Sequence, residues 1–178
     1  MKKLLTLTLL VLFASASSLF AQHQHIGNGG SPHDTVTGKN ITVAYGRPLQ
    51  KGRVLFGTQA DHDNKKALEV YGLVWRTGAD EATEITFKKD CTFGDKQVKA
   101  GTYTLFTIPG TEEWTIILNS QLGQWGAYSY EKNKSKDVLK TTVKANHSNK
   151  PVEQLTISLP DNGMKIEWGN VVVFVPVK

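Results

Sequence analysis

Apolar and polar residues alternate one by one along much of this chain. That is the period of an extended strand whose two faces meet different surroundings. Ile41, Val43 and Tyr45 alternate with Thr42 and Ala44. Val70, Gly72 and Val74 alternate with Tyr71, Leu73 and Trp75, and Ile85 and Phe87 with Glu84, Thr86 and Lys88. Tyr103, Leu105 and Thr107 oppose Thr104, Phe106 and Ile108, while Trp114, Ile116 and Leu118 oppose Thr115, Ile117 and Asn119. Further runs cover 138–145, 154–159, 164–168 and 171–177. Val, Ile, Thr and aromatic residues are frequent in these runs, as they are on half-buried pleated surfaces.

Turn residues separate the runs. Ala100-Gly101 precedes one strand, and Pro109-Gly110 joins two others as a hairpin. Asp161-Asn162-Gly163 joins another pair and Gly169-Asn170 a third. Only residues 61–69 have the pattern of a short helix. Closely spaced strands without long helices predict an all-β fold, an antiparallel sandwich of jelly-roll-like form with at most one short helix. A single domain is expected over residues 38–178, preceded by a loose arm over 22–37 that is rich in Gly, His and Asn.

The N-terminus changes the picture. Lys2 and Lys3 precede an apolar stretch from Leu4 to Phe13, and small residues follow up to Ala21. This is the layout of a secretory signal, with a cut after Ala21 or, alternatively, after Ala16. The apolar stretch is too short for a spanning helix, which needs about 20 residues. The expectation is therefore a protein exported to the periplasm or beyond, without a membrane span. Lys2 and Lys3 supply two of the five net positive charges of the 178-residue chain. The remaining Lys residues are scattered, which argues against a nucleic-acid partner. The single cysteine, Cys91, excludes an internal disulfide.

Candidate chemistry gathers in loops. Arg76, Asp80 and Glu81 lie in a dense polar segment between two strands. Arg76 with either carboxylate makes a structural ion pair that locks the loop, or an anion-binding group beside an acid/base carboxylate. Arg47 and Arg53 sit on a Gly/Pro-kinked loop. Their guanidinium forks suit carboxylate or phosphate ligands, or else cap backbone carbonyls. Gln124-Trp125-Gly126-Ala127-Tyr128 offers an amide and aromatic faces for a sugar ring or planar ligand, or packs as a rim. His23, His25 and His33 with Asp34, and Asp61-His62-Asp63, lack an established ligand spacing, so no metal is assigned and no cofactor is expected. No nucleophile elbow, phosphate loop or dinucleotide fingerprint is present.

The segments Tyr45-Gly46-Arg47-Pro48, Lys51-Gly52-Arg53, Phe56-Gly57, Trp75-Arg76-Thr77-Gly78-Ala79-Asp80-Glu81-Ala82-Thr83, Glu113-Trp114-Thr115, Leu118-Asn119 and Gln124-Trp125-Gly126-Ala127-Tyr128 belong together. With the stretch from Ala100 to Gly110, they resemble the domain of unknown function 2911 family. The resemblance covers nearly all of the chain beyond the signal. It implies an exported single-domain protein of Gram-negative bacteria and brings no assigned activity.

Three functions are compatible with these residues. The first is a non-catalytic module for a small polar or carbohydrate-like ligand, held by Arg47, Arg53, Arg76, Asp80 and Glu81 with Trp125 or Tyr128 as a wall. The second is a hydrolase or isomerase with Asp80 or Glu81 as acid/base and Arg76 as electrostatic stabiliser. The third is an envelope protein whose polar loops only hold the fold.

Overall fold

The computed structural model describes residues 30–178, so the expected signal over 1–21 and the first half of the expected arm lie outside the described residues. The chain forms β1 (His33–Thr37), β2 (Ile41–Gly46), β3 (Val54–Gly57), α1 (Gln59–Asp63), β4 (Ala67–Val70) and β5 (Glu84–Phe87). Then follow β6 (Cys91–Phe93), β7 (Lys96–Val98), β8 (Gly101–Ile108), β9 (Glu113–Asn119), α2 (Tyr130–Asn133), β10 (Asp137–Ser158) and β11 (Gly163–Pro176). The last residues of the expected arm are thus strand β1, paired antiparallel with β2.

A seven-stranded antiparallel sheet runs β1-β2-β5-β8-β9-β10-β11. It curls because β10 serves two neighbours. Its first part pairs with β9, Lys140 opposite Ile117, and its last part with β11, Ile157 opposite Ile166. Between them the β10–β11 register shifts around Val152, the kind of irregularity that bends a strand. The expected runs 138–145 and 154–159 are therefore one bent strand. Gly169-Asn170, expected as a turn, lies inside β11 at the same irregularity, with Gly169 at φ +56. Pro109-Gly110 and Asp161-Asn162 do lie between paired strands, with Gly163 opening β11, as their turn chemistry predicts.

The curl closes where β2 meets the end of β10. The buried Tyr45 hydroxyl accepts from the Ile157 N–H at 2.9 Å, and the Leu155 N–H donates to the Pro48 carbonyl at 3.0 Å. Inside lie Val43, Ile85, Leu105, Ile116, Leu118, Leu155, Ile166 and Val173, all buried. Phe56, Trp75, Trp114 and Trp168 meet there at centroid distances of 5.2–6.0 Å, mostly edge to face, with Trp75 and Trp168 stacked. Such pairs add about 0.5–1.5 kcal/mol each beyond their buried area.

The strands β8 and β9 are buried on both faces, which explains the unbroken apolar runs Leu105-Phe106 and Ile116-Ile117-Leu118. On the second face Phe106 and Ile117 pack with Ala82 and Tyr130, and Val74 and Ala127 pack against this cluster. This smaller core brings the segments around residues 74–82 and 124–130 side by side.

The alternation over 70–75 did not become a strand. β4 ends at Val70, Gly72 turns the chain at φ +80, and the Leu73 N–H donates back to the Val70 carbonyl. Glycine tolerates that left-handed turn, which leaves Tyr71 and Leu73 exposed before Trp75 enters the core. The expected helix over 61–69 is also divided. α1 holds residues 59–63 behind a Thr58–Asp61 capping box, and residues 67–70 are β4, parallel to β3. Cys91 is buried and free, and burial pushes its thiol pKa up. Among the described residues no helix is long and apolar enough to cross a membrane.

Candidate functional site

The segment Trp75–Thr83 is held from inside by its own small polar side chains. Trp75 exchanges backbone hydrogen bonds with Thr107, which fixes the entry. Thr77 and Thr83 are fully buried. Thr77 Oγ1 donates to Thr107 Oγ1 at 3.1 Å, and Thr83 Oγ1 donates to the Thr77 carbonyl at 2.9 Å. Two non-glycine residues here are left-handed, Thr77 at φ +57 and Asp80 at φ +63. For a β-branched residue that conformation is strained, and strain persists only where surrounding contacts over-determine it. One such contact is with β2: a Cβ at Gly46 would collide with the carbonyl oxygen of Ala79.

This loop places Arg76 in a notch. Its Nη1 donates to the Asp80 carbonyl at 3.0 Å, and the same oxygen accepts from the Gly126 N–H at 3.0 Å. The guanidinium lies 5.5 Å from the centre of the Tyr128 ring. Arg76 therefore meets the backbone of Asp80, not the Asp80 or Glu81 carboxylate that the sequence suggested. Those carboxylates are engaged elsewhere. Asp80 Oδ2 accepts from the Ser31 N–H at 2.8 Å, and Glu81 Oε2 meets His33 Nε2 at 2.9 Å.

The Arg76 charge is felt at Glu69, on β4, without an ion pair between them. Glu69 sits opposite Phe56 of β3, beside the aromatic core. Burial pushes its carboxyl up to about 7, against the opposing pulls of the Arg76 charge and the Trp75 indole N–H. That N–H also donates to the Gly78 carbonyl at 3.1 Å, so Glu69 has only a share of it. Sequence reasoning missed Glu69. Its signal was a lone carboxylate in the apolar run Ala67-Leu68-Glu69-Val70, hidden by assigning that run to a helix.

The structure separates the other expected residues. Glu81 and Trp125 form a backbone bridge beside the notch. Trp125 is 54% exposed and Tyr128 80% exposed. Arg47 is anchored away on β10 and β1. Its Nε donates to the Leu155 carbonyl at 3.1 Å, Nη2 to Thr156 Oγ1 at 3.2 Å, and Nη1 to Asp34 Oδ2 at 3.1 Å. Arg53 caps the carbonyls of Gln50 and Leu49. The site thus gathers Arg76, Asp80, Glu81, Trp125 and Tyr128, adds Glu69, and leaves Arg47 and Arg53 holding loops.

Among the described residues no three His, Cys, Asp or Glu side chains gather as a metal site. His33 meets Glu81, and the Asp61 carboxylate accepts from the Thr58 N–H and hydroxyl. A cleft between residues 38–41 and 159–163 encloses about 30 Å³, room for roughly one water.

All the notch residues fall within residues 30–177, which match the model of a family described as protein of unknown function (DUF2911). The chain belongs to this family. No curated protein and no solved structure matches it. Membership of DUF2911 fixes no chemistry, so function must be argued from the site itself.

Proposed function

We propose that this DUF2911 protein is an exported, non-catalytic module that binds a small polar, ring-bearing ligand at the Arg76–Tyr128 notch. One observation carries the reading. Among the described residues the Arg76 guanidinium makes one hydrogen bond, to a backbone carbonyl, and it lies beside a tyrosine ring that is 80% exposed. A guanidinium presents five N–H donors in a planar fork, so most of the Arg76 fork remains for a ligand oxygen. An exposed aromatic face beside it supplies the apolar contact that a sugar or planar ring needs. Export rests on the Lys2–Ala21 layout. In a Gram-negative host the intact mass should correspond to a chain starting at Gln22, and a product retaining Met1 would contradict export.

A thermal-shift screen of the mature protein against neutral sugars, sugar acids and aromatic acids tests the binding role. A ligand of the folded state raises Tm with the logarithm of its concentration. The expected result is such a rise for at least one of these classes, lost in Arg76→Gln. A flat Tm across the panel would overturn the binding role.

A second reading, a hydrolase or isomerase, is favoured by one feature. Glu69 has the raised pKa of an acid/base group and feels the Arg76 charge, whereas Asp80 and Glu81 are engaged with Ser31 and His33. Turnover of a ligand found in the screen, abolished in Glu69→Gln, would establish that reading over the binding module.

A further inference from the structure

Two segments meet edge to edge at the notch. The Ala82 N–H donates to the Gln124 carbonyl at 2.9 Å, and the Gly126 N–H donates to the Asp80 carbonyl at 3.0 Å. These bonds flank Glu81 and Trp125, which are the opposed residues of an antiparallel bridge. Such a pair projects its side chains to one face, with the Cβ atoms about 5 Å apart. Trp125 is 54% exposed, so its ring stands in solvent beside the Glu81 carboxylate and the His33 ring that meets it. The next residue, Gly126, is buried and left-handed at φ +64. A Cβ there would lie 2.7 Å from the Tyr128 ring and 3.3 Å from the Arg76 guanidinium carbon, so glycine lets that ring and that cation meet above the chain. The chain thus presents one exposed ring at Trp125, turns at Gly126 and presents a second at Tyr128. Their Cα atoms are at most about 10 Å apart, so one molecule of two joined rings covers both.

The two rings differ in the charge beside them. Arg76 stands at Tyr128, with one donor placed on the Asp80 carbonyl. The Asp80 carboxylate is engaged by the Ser31 N–H, and Glu69 makes no ion pair with Arg76. A ligand ring at Tyr128 that carries a carboxylate gains the guanidinium fork. At Trp125 the neighbouring charge is the Glu81 carboxylate. A ligand ring there that carries a carboxylate meets Glu81, and like charges side by side cost affinity.

We infer that the notch is one of two adjoining ring subsites, and that its ligand is an acidic oligosaccharide with a uronate ring at Tyr128 and Arg76 joined to an uncharged ring at Trp125. This rests on the reading of the notch as a ligand site and gives it a ligand class. The uronate carboxylate lies in the guanidinium fork while its ring stacks on Tyr128. The uncharged ring stacks on Trp125, and its hydroxyls meet the polar rim that Glu81 and His33 form.

Calorimetric titrations of the mature protein test this with D-glucuronate and three tetrasaccharides as probes. One alternates glucuronate and N-acetylglucosamine, and so offers both orders of charged and uncharged ring. Tetragalacturonate carries a carboxylate on every ring, and cellotetraose carries none. The alternating probe should bind about fivefold more tightly than glucuronate, the worth of a second ring contact. It should also bind more tightly than either uniform tetramer. Trp125→Ala should bring the alternating probe down to the affinity of glucuronate and leave glucuronate itself unchanged, which also shows that the variant is folded. Trp125→Phe, which keeps a ring, should retain most of the gain. Arg76→Gln should remove the preference for the alternating probe over cellotetraose. An alternating probe no tighter than glucuronate, or equal loss of both probes in Trp125→Ala and Trp125→Phe, overturns the second subsite and leaves the notch standing. Tetragalacturonate binding as tightly as the alternating probe overturns the uncharged ring at Trp125. Cellotetraose doing so overturns the uronate at Tyr128. Failure of all four to bind overturns the second subsite and the notch together.

Discussion

Arg47 and Arg76 begin alike. Each follows a strand or bridge, and each places its guanidinium near a tyrosine ring, 6.0 Å from Tyr45 and 5.5 Å from Tyr128. Their surroundings then diverge. Arg47 has three donors placed on three partners from two strands, and its tyrosine is buried in the core. Arg76 has one donor placed on one backbone oxygen, its charge is felt by a carboxyl that burial keeps protonated well above the ordinary range, and its tyrosine faces solvent. The same residue type in a similar local sequence is a latch in one place and an open fork in the other. The difference lies in where its hydrogen bonds go.

Gly46 joins the two regions, and disturbing it should break both. It precedes Arg47 and lies against Ala79 of the Arg76 loop, so the Cβ of Gly46→Ala would push backbone against backbone. The expected cost is about 3 kcal/mol in urea unfolding, at the top of the overpacking range, with loss of probe binding. A neutral outcome would mean that the loop is not seated on β2 as described.

Glu69 sharpens the comparison, because the carboxylate at Arg47, Asp34, is an exposed ion-pair partner. The folded pKa of Glu69, about 7, lies above its ordinary value of 4.5. The stability linked to its protonation is therefore complete below pH 4.5 and lost as pH rises through 7. That loss should reach about 2 kcal/mol after allowance for partial solvent screening. Asp61, Asp90 and Asp95 have lowered values, so their contributions are lost only as pH falls below the carboxylate range and do not mask the effect. Urea melts from pH 4.5 to 8 should show the decline in wild type and a smaller one in Glu69→Gln. Identical slopes would remove Glu69 from the account.

Tyr128→Ala should have the smallest effect on the fold. A side chain 80% exposed contributes little to stability, so the change should stay within about 0.5 kcal/mol. Probe affinity should fall about fivefold, the loss of roughly 1 kcal/mol of ring contact. Unchanged affinity would take Tyr128 out of the site.

The sequence was legible wherever pattern and packing agree. β2, β8, β9 and the Pro109-Gly110 hairpin follow from alternation and turn chemistry alone. It misled at residues 70–75, where the chain turns at Gly72 and the adjacent Val74 and Trp75 then serve two different cores. It also divided β10, because exposed polar residues around Pro151 resemble a loop although the chain stays extended. Arg76, Trp125 and Tyr128 were legible as site candidates from residue type and loop position. Glu69 was not, because its chemistry comes from burial beside Phe56 and Trp75, which local sequence does not encode. Arg47 looked equal to Arg76 because its partners Leu155 and Thr156 lie more than a hundred residues away.

The most direct test places the two arginines side by side. Arg47→Ala and Arg76→Ala should be unfolded in urea at pH 7 together with wild type. Arg47→Ala should lose about 2–3 kcal/mol, because it leaves the Leu155 carbonyl and other partners without their donor. Arg76→Ala should lose less than about 1 kcal/mol, since it gives up one backbone hydrogen bond and one ring contact, and Glu69, already titrating near pH 7, takes up a proton when the cation goes. Equal losses, or a larger loss for Arg76→Ala, would show that Arg76 holds the fold as Arg47 does and would contradict its role as a ligand group.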